Sequence, residues 1–140
     1  MNLSKEIASM YDDAVRIRQD LHRIPEIGFQ LHDTQAYVLT ALRQCAPDRL
    51  EPPAVCGVTA VFFAKAAQKT IALRADMDGI HNDEATDVPN RSQRPGCMHG
   101  CGHDGHMTIL LLLARWIARN RARLHCNVVL LFQPGEEGWA

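Results

Sequence analysis

The sequence predicts an α/β layered domain, and three observations carry the prediction. Helical periodicity fills roughly the first third of the chain. Two short β-branched runs follow it. A long apolar helical pattern then leads into a last, nearly continuous apolar run. The resulting order, α-α-β-β-loop-α-β, suits helices laid on a sheet rather than a bundle or a sandwich. A chain of 140 residues forms one domain at most and is long enough to bury a core.

Each element has its own signal. Over residues 4 to 23, Ile7, Met10, Tyr11, Ala14, Ile17, Leu21 and Ile24 recur at three- and four-residue steps, and Pro25 stops the helix near His22 or Arg23. Pro25 to Phe29 reads as a turn. Asp33 or Thr34 is placed to cap a second helix running to about Cys45, with Ala36, Tyr37, Leu39, Thr40 and Leu42 on its inner face. Pro47, Pro52 and Pro53 then break the chain. Residues 58–63 and 70–74 read as strands joined by a polar turn at 67–69. Residues 77–104 show no periodicity, and a loop of that length inside a compact domain usually carries function. Asp104 is placed to cap a third helix over 105–121, with Met107, Leu110, Leu111, Ala114 and Ile117 inside. Residues 127–132 form a buried strand, ended by Pro134-Gly135.

Composition narrows the function classes. A net charge of -1 offers no footprint for nucleic acid or a membrane surface. The first residues contain no apolar signal core, and the apolar run at 109–114 is too short to span a bilayer. Five cysteines, an odd number without framework spacing, suit a reducing cytoplasmic setting.

The chemistry concentrates in Gly96 to His106, which packs two thiols, three imidazoles and a carboxylate among glycines. Cys101 and His103 lie two apart, so in extended backbone they point the same way, with Gly102 offering no obstruction. A converging thiolate and imidazole make half a divalent-metal site, with Zn²⁺ the first candidate. The helix starting beyond His103 would favour the thiolate. A structural zinc knuckle from Cys97, Cys101, His103 and His106 is the rival reading, with cramped ligand spacing. Two acidic pairs follow predicted strands. Asp76 and Asp78 sit at i, i+2, and one of them can orient a ligating histidine or simply form an Asx turn. Glu136 and Glu137 diverge as neighbours, so one can hold metal while the other acts as general base; the pair also reads as ordinary surface charge. Ligands in open α/β sheets gather beyond the carboxyl ends of strands, so these patches can share one rim.

Four blocks then resemble successive motifs of the M20 metallopeptidase family, closest to its amidohydrolase branch. They are Leu21 to Phe29 (LHRIPEIGF), Arg74 to Asp78 (RADMD), Met98 to His106 (MHGCGHDGH) and Phe132 to Glu137 (FQPGEE). The resemblance implies an α/β/α layered, zinc-peptidase-like catalytic domain, of which residues 1–140 are the N-terminal portion, with an incomplete sheet and no lid or dimerisation domain. It implies a two-metal enzyme, using Zn or Mn, that hydrolyses the amide of small-molecule N-acyl amino acids such as hippurate. Homo-oligomers are expected only of the full-length family. The resemblance makes Cys101, His103 and Glu137 metal ligands and Glu136 the general base, with Asp76 and Asp78 in support. Two features depart from the pattern: Gly79-Ile80-His81 replaces the family's Ala-Leu-Pro, and the chain stops directly after the Glu-Glu motif. The expectation is a truncated member, weakly active or inactive alone, with its last strand central in the complete sheet and truncation leaving an apolar edge unpaired. A non-catalytic metal-binding remnant or a structural zinc module is the alternative.

Overall fold

The computed structural model describes residues 3–51 and 55–139. Its elements are α1 (Leu3–Ala8), α2 (Tyr11–His22), α3 (His32–Arg43), β1 (Arg49–Glu51), β2 (Val58–Phe62), β3 (Thr70–Asp76), α4 (His103–Arg119) and β4 (Asn127–Gln133). Short 3₁₀ turns cover Arg121–Arg123 and Glu137–Trp139. The sheet order is β1-β2-β4-β3, with β3 parallel to β4 and the other pairs antiparallel.

One face of this sheet is the core. Val58, Ala60 and Phe62 of β2 lie opposite Phe132, Leu130 and Val128 of β4, and all six are buried. Helices cover them with Ile17 and Leu21 from α2, Val38 and Leu42 from α3, and Met107, Leu111, Ala114 and Ile117 from α4. Truncating a fully enclosed member such as Phe62 or Leu130 would cost about 2–5 kcal/mol, the lost transfer plus the cavity left behind. The described residues therefore build two layers. The third layer implied by the family resemblance is absent among them, and Leu131 lies partly exposed on the open face. β4 sits between β2 and β3 and is not itself an edge. The edge strands are β1 and β3, and on β3 Ile71 and Leu73 remain exposed.

Other boundaries differ for local reasons. The first predicted helix is two, broken where Ser9 Oγ donates back to the Glu6 carbonyl (2.7 Å). Helix α1 buries nothing, and Ile7 and Tyr11, read as inward, are exposed. Neither Asp33 nor Thr34 caps α3. The Glu26 carboxylate does so from outside the helix, accepting from Thr34 N (2.8 Å) and Asp33 N (3.2 Å). Helix α4 starts two residues earlier than expected, after Gly102 at φ +82°, so Asp104 lies inside its first turn. β1 was missed because three residues carry too little alternation to signal a strand. Pro52 and Pro53 lie outside the described residues.

The long loop is ordered by backbone pairing. Ile80 exchanges hydrogen bonds with Met98 (2.9 and 3.1 Å), and Gly79 N donates to the Glu26 carbonyl (2.7 Å). A Cβ at Gly79 would approach the Met98 carbonyl oxygen to 2.8 Å, which accounts for glycine at the first departure from the family pattern. What matters most for function is the β3–β4 register. Asp76 pairs with Gln133, and Met77 N extends the ladder to Gln133 O (2.9 Å), so both strands deliver their acidic sequels to the same rim.

Candidate metal centre

The rim is organised by Asp78, a residue only 1% exposed. Its Oδ1 accepts from Glu136 N (3.1 Å) and its Oδ2 from Glu137 N (2.9 Å). One buried carboxylate thus fixes the turn that presents both glutamates. The same residue fixes the histidine through its main chain: His103 Nδ1 lies 2.8 Å from the Asp78 carbonyl oxygen. A carbonyl only accepts, so Nδ1 carries the proton and the neutral ring keeps its lone pair on Nε2. That nitrogen faces Glu136 Oε2 at 3.7 Å and Glu137 Oε1 at 3.9 Å. Asp78 therefore holds both parts of the rim, its backbone contacting the histidine and its side chain the two glutamate amides.

His103, Glu136 and Glu137 bring ligand atoms within 4.8 Å of one another. Two ligands each about 2.1 Å from one tetrahedral ion would stand about 3.4 Å apart, so the observed separations match a divalent cation's needs with slight contraction. Imidazole and carboxylate suit Zn²⁺ or a harder ion such as Mn²⁺. Cys101 stands slightly apart. It is exposed and hydrogen-bonds to Glu137, but it does not join the tight trio. Its thiol is shifted up, chiefly by that hydrogen bond and then by burial and the nearby Glu137 and Glu136 charges. The thiolate expected from the start of α4 is thus outweighed by neighbouring carboxylates. A cation held by thiol and carboxylate together would reverse that balance and favour the thiolate.

Asp76 sits at the edge of this centre. Its Oδ2 is 4.0 Å from His106 Nδ1, and Asp76, His103 and His106 form a second convergent group. Arg74 Nε also donates to Asp76 Oδ1 (2.9 Å), so much of that carboxylate's charge is already compensated. No three of Cys97, Cys101, His103 and His106 form a convergent group among the described residues, which removes the geometric basis of a zinc knuckle.

Four contributors escaped the sequence reading. His22 and Glu26 lie in the first motif, whose chemistry was left open; Glu84 lies in the long loop; Asp104 was read as a cap. His22 Nδ1 is 2.8 Å from Asp104 Oδ2, and its Nε2 is 3.3 Å from Glu84 Oε1. Burial alone would raise the Glu84 carboxyl, but bonds from the Thr86 hydroxyl, the Ser92 amide and His22 outweigh it and bring the pKa down to about 2. His99, buried beside this group, has no partner among the described residues for either ring nitrogen, and burial pushes its pKa down to about 4. No spacing rule exposes these contacts, because the partners lie 62 and 82 residues apart in sequence.

Known structures place this arrangement in a class. The Bacillus subtilis YXEP protein, a dinuclear metal binding peptidase from the M20 family, matches with a TM-score of 0.87 at 33% identity, over 93% of this chain and 36% of that one. The fold is that of an M20 peptidase catalytic domain. The family model for Peptidase family M20/M25/M40 matches residues 72–140, and the chain belongs to the M20 family. Among curated relatives, an N-acetyldiaminopimelate deacetylase of Anoxybacillus flavithermus is 45% identical over 125 residues, covering 89% of this chain and 32% of its own length. A hippurate hydrolase of Campylobacter jejuni is 38% identical over 138 residues, covering 99% and 36%. The chain thus spans about a third of the length of the curated relatives it matches. Among the described residues no helix is long and apolar enough to cross a membrane.

Proposed function

We propose that this chain contributes a ligand set and the general base to a metal-dependent hydrolase of N-acyl amino acids. His103 and Glu137 hold a divalent ion, Zn²⁺ or Mn²⁺, with the Cys101 thiolate joining them, and Glu136 is the base. The observation carrying this reading is the free lone pair of His103 Nε2, aimed at two carboxylates because Nδ1 is committed to the Asp78 carbonyl. When bound, the cation polarises the amide carbonyl and acidifies water. Glu136 then takes a proton from the attacking water and returns it to the departing amine as the C–N bond breaks. Glu136 suits that part, being more exposed than Glu137 and beside the ligand histidine. Asp78 acts by keeping Glu136 and Glu137 at fixed angles, and Asp76 supports His106 at the margin.

An acetyl or aromatic acyl group on an amino acid is the substrate class, drawn from the two kinds of relative. Calorimetric titration with Zn²⁺ and Mn²⁺ tests the ligand set. Affinity should collapse in His103→Ala and Glu137→Ala and persist in Glu136→Gln. Assays with hippurate and N-acetyldiaminopimelate test the chemistry: any turnover should vanish with chelator and with Glu136→Gln. Metal binding indifferent to His103, Cys101 and Glu137 together would overturn the reading. Binding without turnover favours the non-catalytic alternative for this length of chain.

A further inference from the structure

We infer that His22 is a positioning residue for the metal centre: by clasping Asp104 and Glu84 it locks the first turn of α4, from which His103 projects, and the loop that follows Asp78. For what His103 itself does, this rests on the proposed function above. The clasp joins three remote parts of the chain. His22 ends α2, Glu84 lies in the long loop, and Asp104 directly follows His103. Asp104 is fully buried and receives Arg18 Nε (3.2 Å) as well as His22 Nδ1 (2.8 Å) on one oxygen. Its other oxygen accepts from Gly105 N (2.9 Å). Glu84 is equally committed, to Thr86, to Ser92 N and to His22. None of the three has an oxygen or nitrogen left over for substrate or metal, so the cluster acts through what it holds.

What it holds is the entry of α4. That helix has no side-chain cap and starts after a left-handed glycine, so its first turn is held through Asp104, by His22 and Arg18, and through the His103 bond to the Asp78 carbonyl. The Gly105 and His106 amides both reach back to the Gly102 carbonyl (2.9 and 3.2 Å). Rotation of this turn by even a fraction of an ångström would move His103 Nε2 relative to Glu136 and Glu137. Metal sites owe much of their affinity to such outer contacts.

Two near-isosteric substitutions separate the arms of the clasp. The Asn amide nitrogen overlays His Nδ1 and keeps the bond to Asp104, whereas the Gln amide nitrogen overlays Nε2 and keeps only Glu84. The readout is residue-resolved hydrogen exchange on the full 140-residue chain without metal, with Co²⁺ titration read by its thiolate absorption band in parallel. In His22→Gln, exchange at Gly105 and His106 should accelerate roughly ten-fold while β4 amides stay unchanged, and Co²⁺ affinity should fall roughly ten-fold. In His22→Asn both should stay near wild type. Equal exchange in all three proteins, or equal acceleration at β4 and α4, would overturn the proposal. Should the unaltered chain bind no Co²⁺, the metal-centre reading fails on its own, and the exchange data still decide whether His22 positions the turn.

Discussion

Two clusters of histidine and carboxylate lie side by side in this molecule and are built on opposite principles. In the clasp of His22, Asp104 and Glu84, the groups are buried and meet at hydrogen-bond distance, 2.8 and 3.3 Å. In the rim group of His103, Glu136 and Glu137, ligand atoms stand 3.7 and 3.9 Å apart, too far for mutual hydrogen bonds. There the glutamates reach solvent, while their backbone amides and the far side of the His103 ring are fixed through Asp78. A closed cluster spends its valence on architecture. An open one keeps its valence for something that arrives. The same residue types therefore carry different meanings, and geometry at the level of an ångström separates them.

The comparison predicts an asymmetry between stability and binding. Asp104→Ala should produce the largest stability loss, about 3–5 kcal/mol in urea unfolding, because it leaves the buried His22 Nδ1 and the Arg18 guanidinium without their shared acceptor. His103→Ala should cost far less in the same experiment yet remove most metal affinity. If both variants lost stability alike, the division between the clusters would be wrong. Asp78→Asn, which weakens the hold on Glu136 N and Glu137 N, should lower metal affinity about 10–100-fold by calorimetry. Gly135→Ala should destabilise by about 1–2 kcal/mol, because Gly135 sits at φ +72° and its Cβ would press to 2.5 Å from the Phe29 ring. That turn carries the two glutamates, so metal affinity should fall with it.

Acid should weaken the closed cluster through Glu84. Glu84 has its carboxyl lowered in the folded state, from an ordinary 4.5 to about 2. Its contribution is then fully present above pH 4.5 and drains away as pH falls toward 2, where the folded carboxyl also takes a proton. Urea midpoints measured across that window should decline, and Glu84→Gln should flatten the decline. The smallest effect concerns His99, whose buried nitrogens lack partners. His99→Leu should raise stability by about 1 kcal/mol, since it removes unsatisfied polar atoms. A loss instead would show that His99 has hydrogen-bond partners in solution.

The helices, three of the four strands and the rim location of the acidic pairs were legible in the sequence, because periodicity and breaker residues report local structure directly. The donor-rich residue types were legible too, since Cys-Gly-His and Glu-Glu are adjacent in sequence and need no partner to be noticed. The break at Ser9 was not, because a back-bonded serine leaves the apolar spacing intact. The cap on α3 was misplaced because Glu26 reaches it from seven and eight residues away. Asp104 fits a cap pattern on paper, and only the starting point of α4 turns it into a buried anchor.

The sequence by itself determined the layered α/β class, the family and the inventory of donor atoms, because those follow from short-range pattern and composition. The tertiary structure alone decided which donors are free. Asp78, Glu84 and Asp104 are alike as sequence symbols, yet long-range packing commits each to a different partner, and the same packing leaves the far nitrogen of His103 without one. Contacts across sixty to eighty residues obey no local period, so they come into being only when the chain has folded.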